Sequence, residues 1–226
     1  PVRAAFQNEL QVLRDGLMEM NSLVATALED ASKALFTGDL ALAEKVIVRD
    51  QDIDDLQAEL DEKSVDVLAT QSPVATDLRT VVATLRMSAS LERMGDLAAH
   101  IALVLRRRHP NEVIPADLQS AIETLADLSL NAVKDAGKVL ETYDVALAAV
   151  IEERDNNLDR AMDEVYAALS AEGAPYSVKE SVDLALLARF YERIGDHAVS
   201  VARRVVFLVT GDSLDSHGPQ TDVTDF

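Results

Sequence analysis

An acidic pattern that occurs twice constrains how this 226-residue chain can fold. The pattern Glu-Arg-x-Gly-Asp stands at residues 92–96 and again at residues 192–196, one hundred positions later. Residues four apart on a helix lie on the same face, so each copy places a glutamate beside an aspartate. Like charges at that spacing repel by roughly 0.2–0.5 kcal/mol. The repeat predicts two equivalent halves, each with something positive set against its acidic pair.

Composition favours helices packed on helices. Hydrophobic residues make up 48% of the chain and aromatic residues only 4%, while glycine and proline together number 14, from counts of 8 and 6. Such a chain is long enough for a sizeable core. Apolar residues at three- and four-residue steps predict six helices. They are expected near residues 6–36, 40–70, 73–109, 117–142, 145–171 and 178–210.

Capping residues predict where several of these helices begin. Asp39 and Asp144 are expected as N-caps of the second and fifth helices. Ser72 with Pro73 fits an N-cap and first helical position for the third. Ser177, followed by a glutamate three residues later, predicts a capping box for the sixth helix.

The repeat extends beyond the acidic pattern. Arg-Asp-x-x-Ile-Asp at residues 49–54 matches Arg-Asp-x-x-Leu-Asp at residues 154–159. The chain is therefore expected to be all-α, with two tandem, pseudo-symmetric three-helix bundles. The expected boundaries are residues 1–112 and 113–211, followed by a flexible acidic tail at 212–226.

The acidic pairs of each half are predicted to meet. In an antiparallel hairpin, two residues lie at the same level when their numbers average to the turn position. Asp50 with Asp96, and Asp54 with Glu92, average to position 73, where the helix break is expected. The equivalent pairs of the second half average to 175.5, beside Pro175. The candidate metal ligands are Asp50, Asp54, Glu92 and Asp96 in the first half, and Asp155, Asp159, Glu192 and Asp196 in the second.

Four converging carboxylates have two physical outcomes. They can protonate and share hydrogen bonds, or they can bind cations, as carboxylates in helical bundles do. Oxygen ligands suit Mg, Ca and Mn and, in clusters, iron or zinc. A third reading is a solvated acidic face on a helical interaction module. Gly95 and Gly195 favour the cation, since a glycine lets a partner helix or a metal cluster approach the backbone.

Residues beside the acidic pairs are assigned smaller roles. His100 and His197 do not occupy equivalent positions, which favours a surface or outer role over metal ligation. Arg93 and Arg193 fit either outer partners of the carboxylates or surface ion pairs.

Charge and cysteine content exclude several kinds of site. The net charge of −19 argues against direct binding to a nucleic acid backbone, because that binding needs a basic face. The chain has no cysteine, so disulfides and thiolate metal sites are excluded. Apolar stretches fall short of the ~20 residues of a membrane span, and a cytoplasmic protein is expected.

At these residues the chain resembles the PhoU proteins of bacterial phosphate regulation, and it looks most similar to their actinobacterial branch. The resemblance rests on the paired aspartates and on three segments. These are Gln-Ser-Pro-Val-Ala-Thr-Asp-Leu-Arg at 71–79, Leu-Glu-Arg-Met-Gly-Asp at 91–96 and Tyr-Glu-Arg-Ile-Gly-Asp-His at 191–197. It implies two three-helix bundles, often as a homodimer, and iron or zinc clusters or other divalent ions on the eight carboxylates.

The resemblance also implies a function. Such a protein links the phosphate ABC transporter ATPase to a sensor histidine kinase and keeps the phosphate-starvation response off when phosphate is plentiful. It would not be an enzyme, and it would reach the membrane only through its partners. The alternative is a carboxylate-bridged metalloenzyme in a helical bundle. Such enzymes usually carry a Glu-x-x-His motif, and none occurs in this sequence.

Overall fold

The computed structural model describes residues 2–211, and within this range the chain is helical with no strand. The all-α prediction is confirmed. The predicted tail, residues 212–226, lies outside the described residues. The helices are α1 Val2–Thr37, α2 Leu40–Gln71, α3 Ala75–Arg108, α4 Gln119–Thr142, α5 Val145–Ser170 and α6 Val178–Thr210, with a 3-10 turn at Ala116–Leu118 before α4. Among these described helices, none is long and apolar enough to cross a membrane.

Three of the predicted helix starts are confirmed. The carboxylate of Asp39 accepts a hydrogen bond from the Leu42 amide at 3.0 Å, and Asp144 caps α5 in the same way. At α6 the Ser177 hydroxyl accepts from the Glu180 amide, and the Ser177 amide donates back to the Glu180 carboxylate at 2.7 Å. Both bonds of the capping box are therefore present.

The predicted start of α3 is wrong. Ser72 does not cap α3 but ends α2, in a left-handed conformation with φ 44° and ψ 55°. Pro73 and an extended Val74 then reverse the chain, and α3 begins at Ala75. The reason is that α2 continues to Gln71, so Ser72 is used to leave one helix and not to open the next.

Four helices form the centre of the molecule. Helix α3 packs on α1, α2 and α6, helix α6 packs on α3, α4 and α5, and α1 packs on α4. Helices α2 and α5 therefore lie outermost, each beside helices of its own half. Helices α3 and α6 run antiparallel, since Arg107 near the end of α3 meets Asp183 near the start of α6.

Buried positions of the two halves correspond. Leu28 of α1 and Val133 of α4 are fully buried at an offset of 105, and Ile53 and Leu158 of the outer helices are buried at the same offset. In α3 and α6 the offset is 100, as for the buried glycines of the repeated motif. The molecule is a tandem helical bundle whose halves repeat one packing pattern.

Candidate metal centre

Three aspartates of the first half converge in the seam between α2 and α3. Asp50 and Asp54 lie one turn apart on α2, and Asp96 reaches them from α3. Each offers a carboxylate oxygen, and the three oxygens lie within 4.8 Å of one another. All three side chains are partly buried. The three residues therefore lie at the same level, as the hairpin arithmetic predicts, and on helix faces that point towards each other.

The second half repeats the arrangement in the seam between α5 and α6. Asp155 and Asp159 lie on α5, and Asp196 faces them from α6. Their oxygens again lie within 4.8 Å of one another. Asp196 is the more exposed of the three, so this site is open on the side of α6.

The two glutamates lie beside the aspartate triads and outside them. The pKa of Glu92 is raised to about 7, mainly by burial and then by the hydrogen bond with Asp96 and the charge of Asp96. Glu192 is 5% exposed, and its carboxylate accepts a hydrogen bond from the Arg189 guanidinium at 2.6 Å. Burial and Asp196 nevertheless raise the pKa of Glu192 to about 8. The negative charge of each glutamate is therefore disfavoured at its site, and in the second site Arg189 partly offsets this effect.

Crowding of carboxylates also perturbs the aspartates. Burial, together with Asp96 and Asp54, raises the pKa of Asp50 to about 7. Burial, together with Asp196 and Asp159, raises the pKa of Asp155 to about 7. Burial and Asp196 also raise the pKa of Asp159. Near neutral pH, Asp50 and Asp155 therefore hold protons that an ordinary carboxyl group would have lost.

One oxygen in each site is buried without a hydrogen-bond donor. These are the Oδ1 atoms of Asp50 and Asp155, which occupy equivalent positions on α2 and α5. A buried carboxylate oxygen without a partner is costly, and a bound cation would satisfy it. The donor set consists of carboxylate oxygens, which hard cations and carboxylate-bridged metal clusters accept as ligands. The residues of both sites therefore fit a metal ion.

Gly95 and Gly195 explain how the helices approach closely enough. A Cβ at Gly95 would lie 2.9 Å from Ile53 Cδ1 and 3.2 Å from the Oδ1 atom of Asp50. A Cβ at Gly195 would lie 2.2 Å from Leu158 Cδ2 and 3.3 Å from the Oδ1 atom of Asp155. The missing side chain brings each unpartnered oxygen against the backbone of the facing helix.

The comparisons with known proteins agree with this duplicated geometry. The model of the PhoU domain matches the chain twice, at residues 17–105 and 122–205. The chain belongs to the PhoU family. It is 39% identical over 210 residues to the phosphate-specific transport system accessory protein PhoU homolog 2 of Mycobacterium tuberculosis, covering 93% of this chain and 99% of that protein.

Two solved structures share the fold. The crystal structure of PhoU from Pseudomonas aeruginosa superposes with a TM-score of 0.82 at 27% identity, covering 92% of this chain and 100% of that one. The phosphate transport system regulatory protein PhoU from Streptococcus pneumoniae superposes with a TM-score of 0.84 at 24% identity, covering 93% and 99%. The latter likeness concerns the fold alone.

The residues that flank the PhoU motif take different positions. Arg93 lies 3.6 Å from an Asp96 oxygen, so it is an outer partner of the first site. The ring of His100 lies 5.5 Å from the ring of Phe190 across the α3–α6 seam. His197 is partly buried, and burial followed by Arg193 lowers its pKa. Neither histidine belongs to the carboxylate groups that converge.

Sequence reasoning missed Arg189. Its guanidinium is the partner of Glu192 in the second site, three residues earlier on α6. The i, i+3 spacing between an arginine and a glutamate was the available signal. Position 89 in the first half is an alanine, so the two sites differ in their compensating charge.

Proposed function

We propose that the protein is a metal-binding accessory regulator of phosphate uptake. Its relative in Mycobacterium tuberculosis is named as an accessory protein of phosphate-specific transport. The similarity between the two extends over nearly the whole of both chains. By the same proposal it links the phosphate ABC transporter ATPase to a sensor histidine kinase, and it represses the phosphate-starvation response when phosphate is plentiful. It acts in the cytoplasm, as a homodimer, and reaches the membrane through its partners.

The observation that supports a metal site is the pair of unpartnered oxygens. Asp50 and Asp155 are equivalent, and each has a buried Oδ1 atom without a hydrogen-bond partner in a group of three converging aspartates. A single site of this kind could be a local imperfection of packing. Two sites at equivalent positions, each with raised carboxyl pKa values, support a repeated requirement for positive charge.

The residues would hold the metal across a helix seam. In the first half, Asp50 and Asp54 would bind from the outer helix α2, and Asp96 and Glu92 would bind from α3. The equivalent ligands of the second half would be Asp155, Asp159, Asp196 and Glu192. A divalent or trivalent cation, such as Mg, Mn, Ca, zinc or iron, would supply the positive charge that these oxygens lack. Because each site joins an outer helix to a central one, its occupancy would fix the outer helices α2 and α5.

Metal content tests the binding half of the proposal. Protein purified without chelator should contain metal, and treatment with chelator should lower its melting temperature. Manganese, iron, zinc or magnesium should then restore that temperature. The result against the site would be protein that contains no metal and whose melting temperature none of these ions changes.

Phosphate uptake in cells tests the regulatory half. A strain carrying both Glu92→Ala and Glu192→Ala should take up phosphate under phosphate-rich conditions, because repression is lost. The protein level and melting temperature of the variant are measured in parallel. If the double variant folds stably, has lost its metal and still represses normally, the metal sites are not part of signalling.

Residues 1–112 and 113–211 are proposed to act as two repeats with one site each. Asp50→Asn should then remove the metal bound by the first repeat and leave the second occupied. Metal analysis of the variant and of its Asp155→Asn counterpart distinguishes two independent sites from one shared site. The dimer is tested by light scattering of the eluted protein, which should give twice the mass of one chain.

A further inference from the structure

The end of α4 is capped by a guanidinium from another helix. Arg14 of α1 donates from Nε to the Leu140 carbonyl at 2.9 Å, and from Nη2 to the carbonyl of Glu141. Its guanidinium carbon also lies 3.9 Å from the centre of the Tyr143 ring. The last carbonyls of a helix have no hydrogen-bond donor within that helix, and they carry partial negative charge. In the second half of the molecule, that charge is met by an arginine.

The internal repeat places an equivalent helix end in the first half. At the offset of 105 that relates α1 to α4, Leu140 and Glu141 correspond to Leu35 and Phe36 of α1. Buried pairs such as Leu28 and Val133 support this register. The residue that follows each helix is left-handed in both halves, with φ 56° at Tyr143 and 68° at Gly38. The two helix ends are therefore alike in backbone.

The side chains that meet these two ends differ. Gly38 stands where the second half has Tyr143, and Gln119 stands where it has Arg14. The Gln119 amide turns away and donates to Glu123 of its own helix at 3.0 Å. The end of α1 thus lacks the guanidinium and the counterpart of the Tyr143 ring. A cavity of about 510 Å³ lies there instead, and Gly38 and Gln119 both line it.

The lining of this cavity favours a cation with several hydrogen-bond donors. The Ala34 carbonyl accepts from the Asp39 amide at 3.0 Å. Among the described residues, no side chain donates to the carbonyls of Leu35 and Phe36, which correspond to the two that Arg14 caps. Glu112 is an acidic residue that lines the cavity, and His109 is the one basic residue among the described lining residues. A planar guanidinium matches two adjacent carbonyls and a carboxylate.

We propose that this cavity binds the guanidinium of an arginine side chain presented by a partner protein. Charge complementarity favours the protein partner, since the chain carries a net charge of −19 and would attract a basic surface. The rim is also accessible, because Gly38 and residues 109–112 of the α3–α4 loop are exposed. Free arginine is disfavoured, since its α-carboxylate would enter beside Glu112. The volume is sufficient for one such side chain.

Binding of a small arginine probe tests the proposal. N-acetyl-L-arginine methylamide is titrated into the full chain, and backbone amide shifts are followed by NMR. Saturable shifts are expected at Gly38, Glu112 and Gln119. The citrulline analogue has the same shape without the charge, and its affinity should be lower by about tenfold or more. Free L-arginine should also bind more weakly. Shifts elsewhere, equal binding of the citrulline analogue, or tighter binding of free arginine would each overturn the proposal.

Substitutions at Gln119 complete the test. Gln119→Arg recreates the arrangement of the second half, so it should fill the cavity, weaken probe binding by about tenfold or more and raise the melting temperature. Gln119→Ala is the matched control, since it leaves the cavity open and should keep probe affinity within about twofold. Undiminished binding by a folded Gln119→Arg variant would place the probe elsewhere and overturn the proposal.

Discussion

The carboxylate oxygens of Asp50 and Asp155 show, at the scale of single residues, why the two sites are strained without a cation. Each Oδ1 atom is buried and has no donor, and each side chain faces further carboxylates. Protonation relieves part of the repulsion, which is why burial and the neighbouring acids raise both pKa values to about 7. A cation relieves all of it, and at neutral pH it has only a few protons to displace.

Replacing Asp155 with asparagine tests this account of a single residue. In chelator at pH 8, Asp155→Asn should stabilise the protein by about 1 kcal/mol, because it removes one of several repelling charges. With saturating Mn²⁺ the same variant should be less stable than the wild type, since a ligand is lost. Thermal melts in both buffers give the two signs. Asp52→Asn is the control, because Asp52 is an exposed acid on α2, and it should change neither. A variant that is destabilised in chelator would contradict the repulsion.

At the scale of helices, the glycines of the repeated motif determine how closely α2 packs on α3 and α5 on α6. An alanine would ordinarily suit a helix interior better than glycine, by about 1 kcal/mol. Here a Cβ would meet Ile53 in one half and Leu158 in the other, both buried. Because the contact with Leu158 is the shorter, the seam of the second half should tolerate a methyl group less well.

Gly195→Ala should therefore lower the free energy of unfolding by about 1–2 kcal/mol, since overpacking outweighs the gain in helix propensity. Gly95→Ala should have a smaller effect. Urea denaturation of both variants measures the difference. Adding Leu158→Val to Gly195→Ala shortens the side chain that clashes and should recover part of the lost stability. If Gly195→Ala is as stable as the wild type, the close approach of α5 and α6 is not needed.

Sequence periodicity predicts the helices and the level at which their acids meet, but it does not predict contacts between distant helices. The caps at Asp39, Asp144 and Ser177 are local, so they could be predicted. Asp50 faces Asp96 because a hairpin of regular helices fixes which turns lie opposite each other. The Ser72 prediction failed because a serine before a proline fits either end of a helix. The path of α2 decides between them.

Contacts between the two halves depend on residues for which the sequence gives no periodic signal. The reach of Arg14 to the end of α4 spans more than a hundred positions. The hydroxyl groups of Ser32 and Tyr191 lie 2.9 Å apart across the halves. Pairs of this kind could be found only once α1 is placed beside α4, and α1 beside α6.

At the scale of the whole molecule, an ion cluster joins the two halves at one end of the α3–α6 pair. Asp183 of α6 is 6% exposed and lies 3.1 Å from Arg107 and 3.8 Å from Arg108 of α3. The equivalent of Asp183 in the first half is Ala83, which is also buried. The halves are thus alike in packing but differ in how their ends are joined.

Asp183→Ala should destabilise the molecule by about 2 kcal/mol, because it leaves the largely buried guanidinium of Arg108 without its closest acid. The ion pair with Arg107 adds little to this loss of stability, because the Arg107 side chain is 57% exposed. The control is Asp135→Ala, which breaks an ion pair to the exposed Arg154. Its loss of unfolding free energy should be at most about 1 kcal/mol. Denaturant titrations of both variants provide the comparison. Equal losses would mean that the cluster between the halves has no special weight.

The pH dependence of stability should change sign when metal is bound. The pKa of Asp50 and Asp155 rises from 3.8 to about 7 on folding, and that of Glu192 from 4.5 to about 8. The folded state thus holds protons that the unfolded chain has released, so the contribution of these groups to stability in chelator is complete below about pH 4 and is lost as the pH rises towards 8. Since Asp50 and Asp155 are only partly buried and Arg189 partly offsets the shift of Glu192, the loss is about 1 kcal/mol per site.

Mn²⁺ should reverse the slope, because it binds the deprotonated carboxylates and therefore stabilises more as pH rises. Urea denaturation at pH 5 and pH 8, with chelator and with Mn²⁺, measures both slopes. The general repulsion within a chain of charge −19 also lowers stability at high pH, so the wild type must be compared with Asp50→Asn/Asp155→Asn. That double variant keeps the general repulsion, and in it both the decline in chelator and the rise with Mn²⁺ should be smaller. Identical slopes in the two proteins would remove the carboxylate sites as the source of the pH dependence.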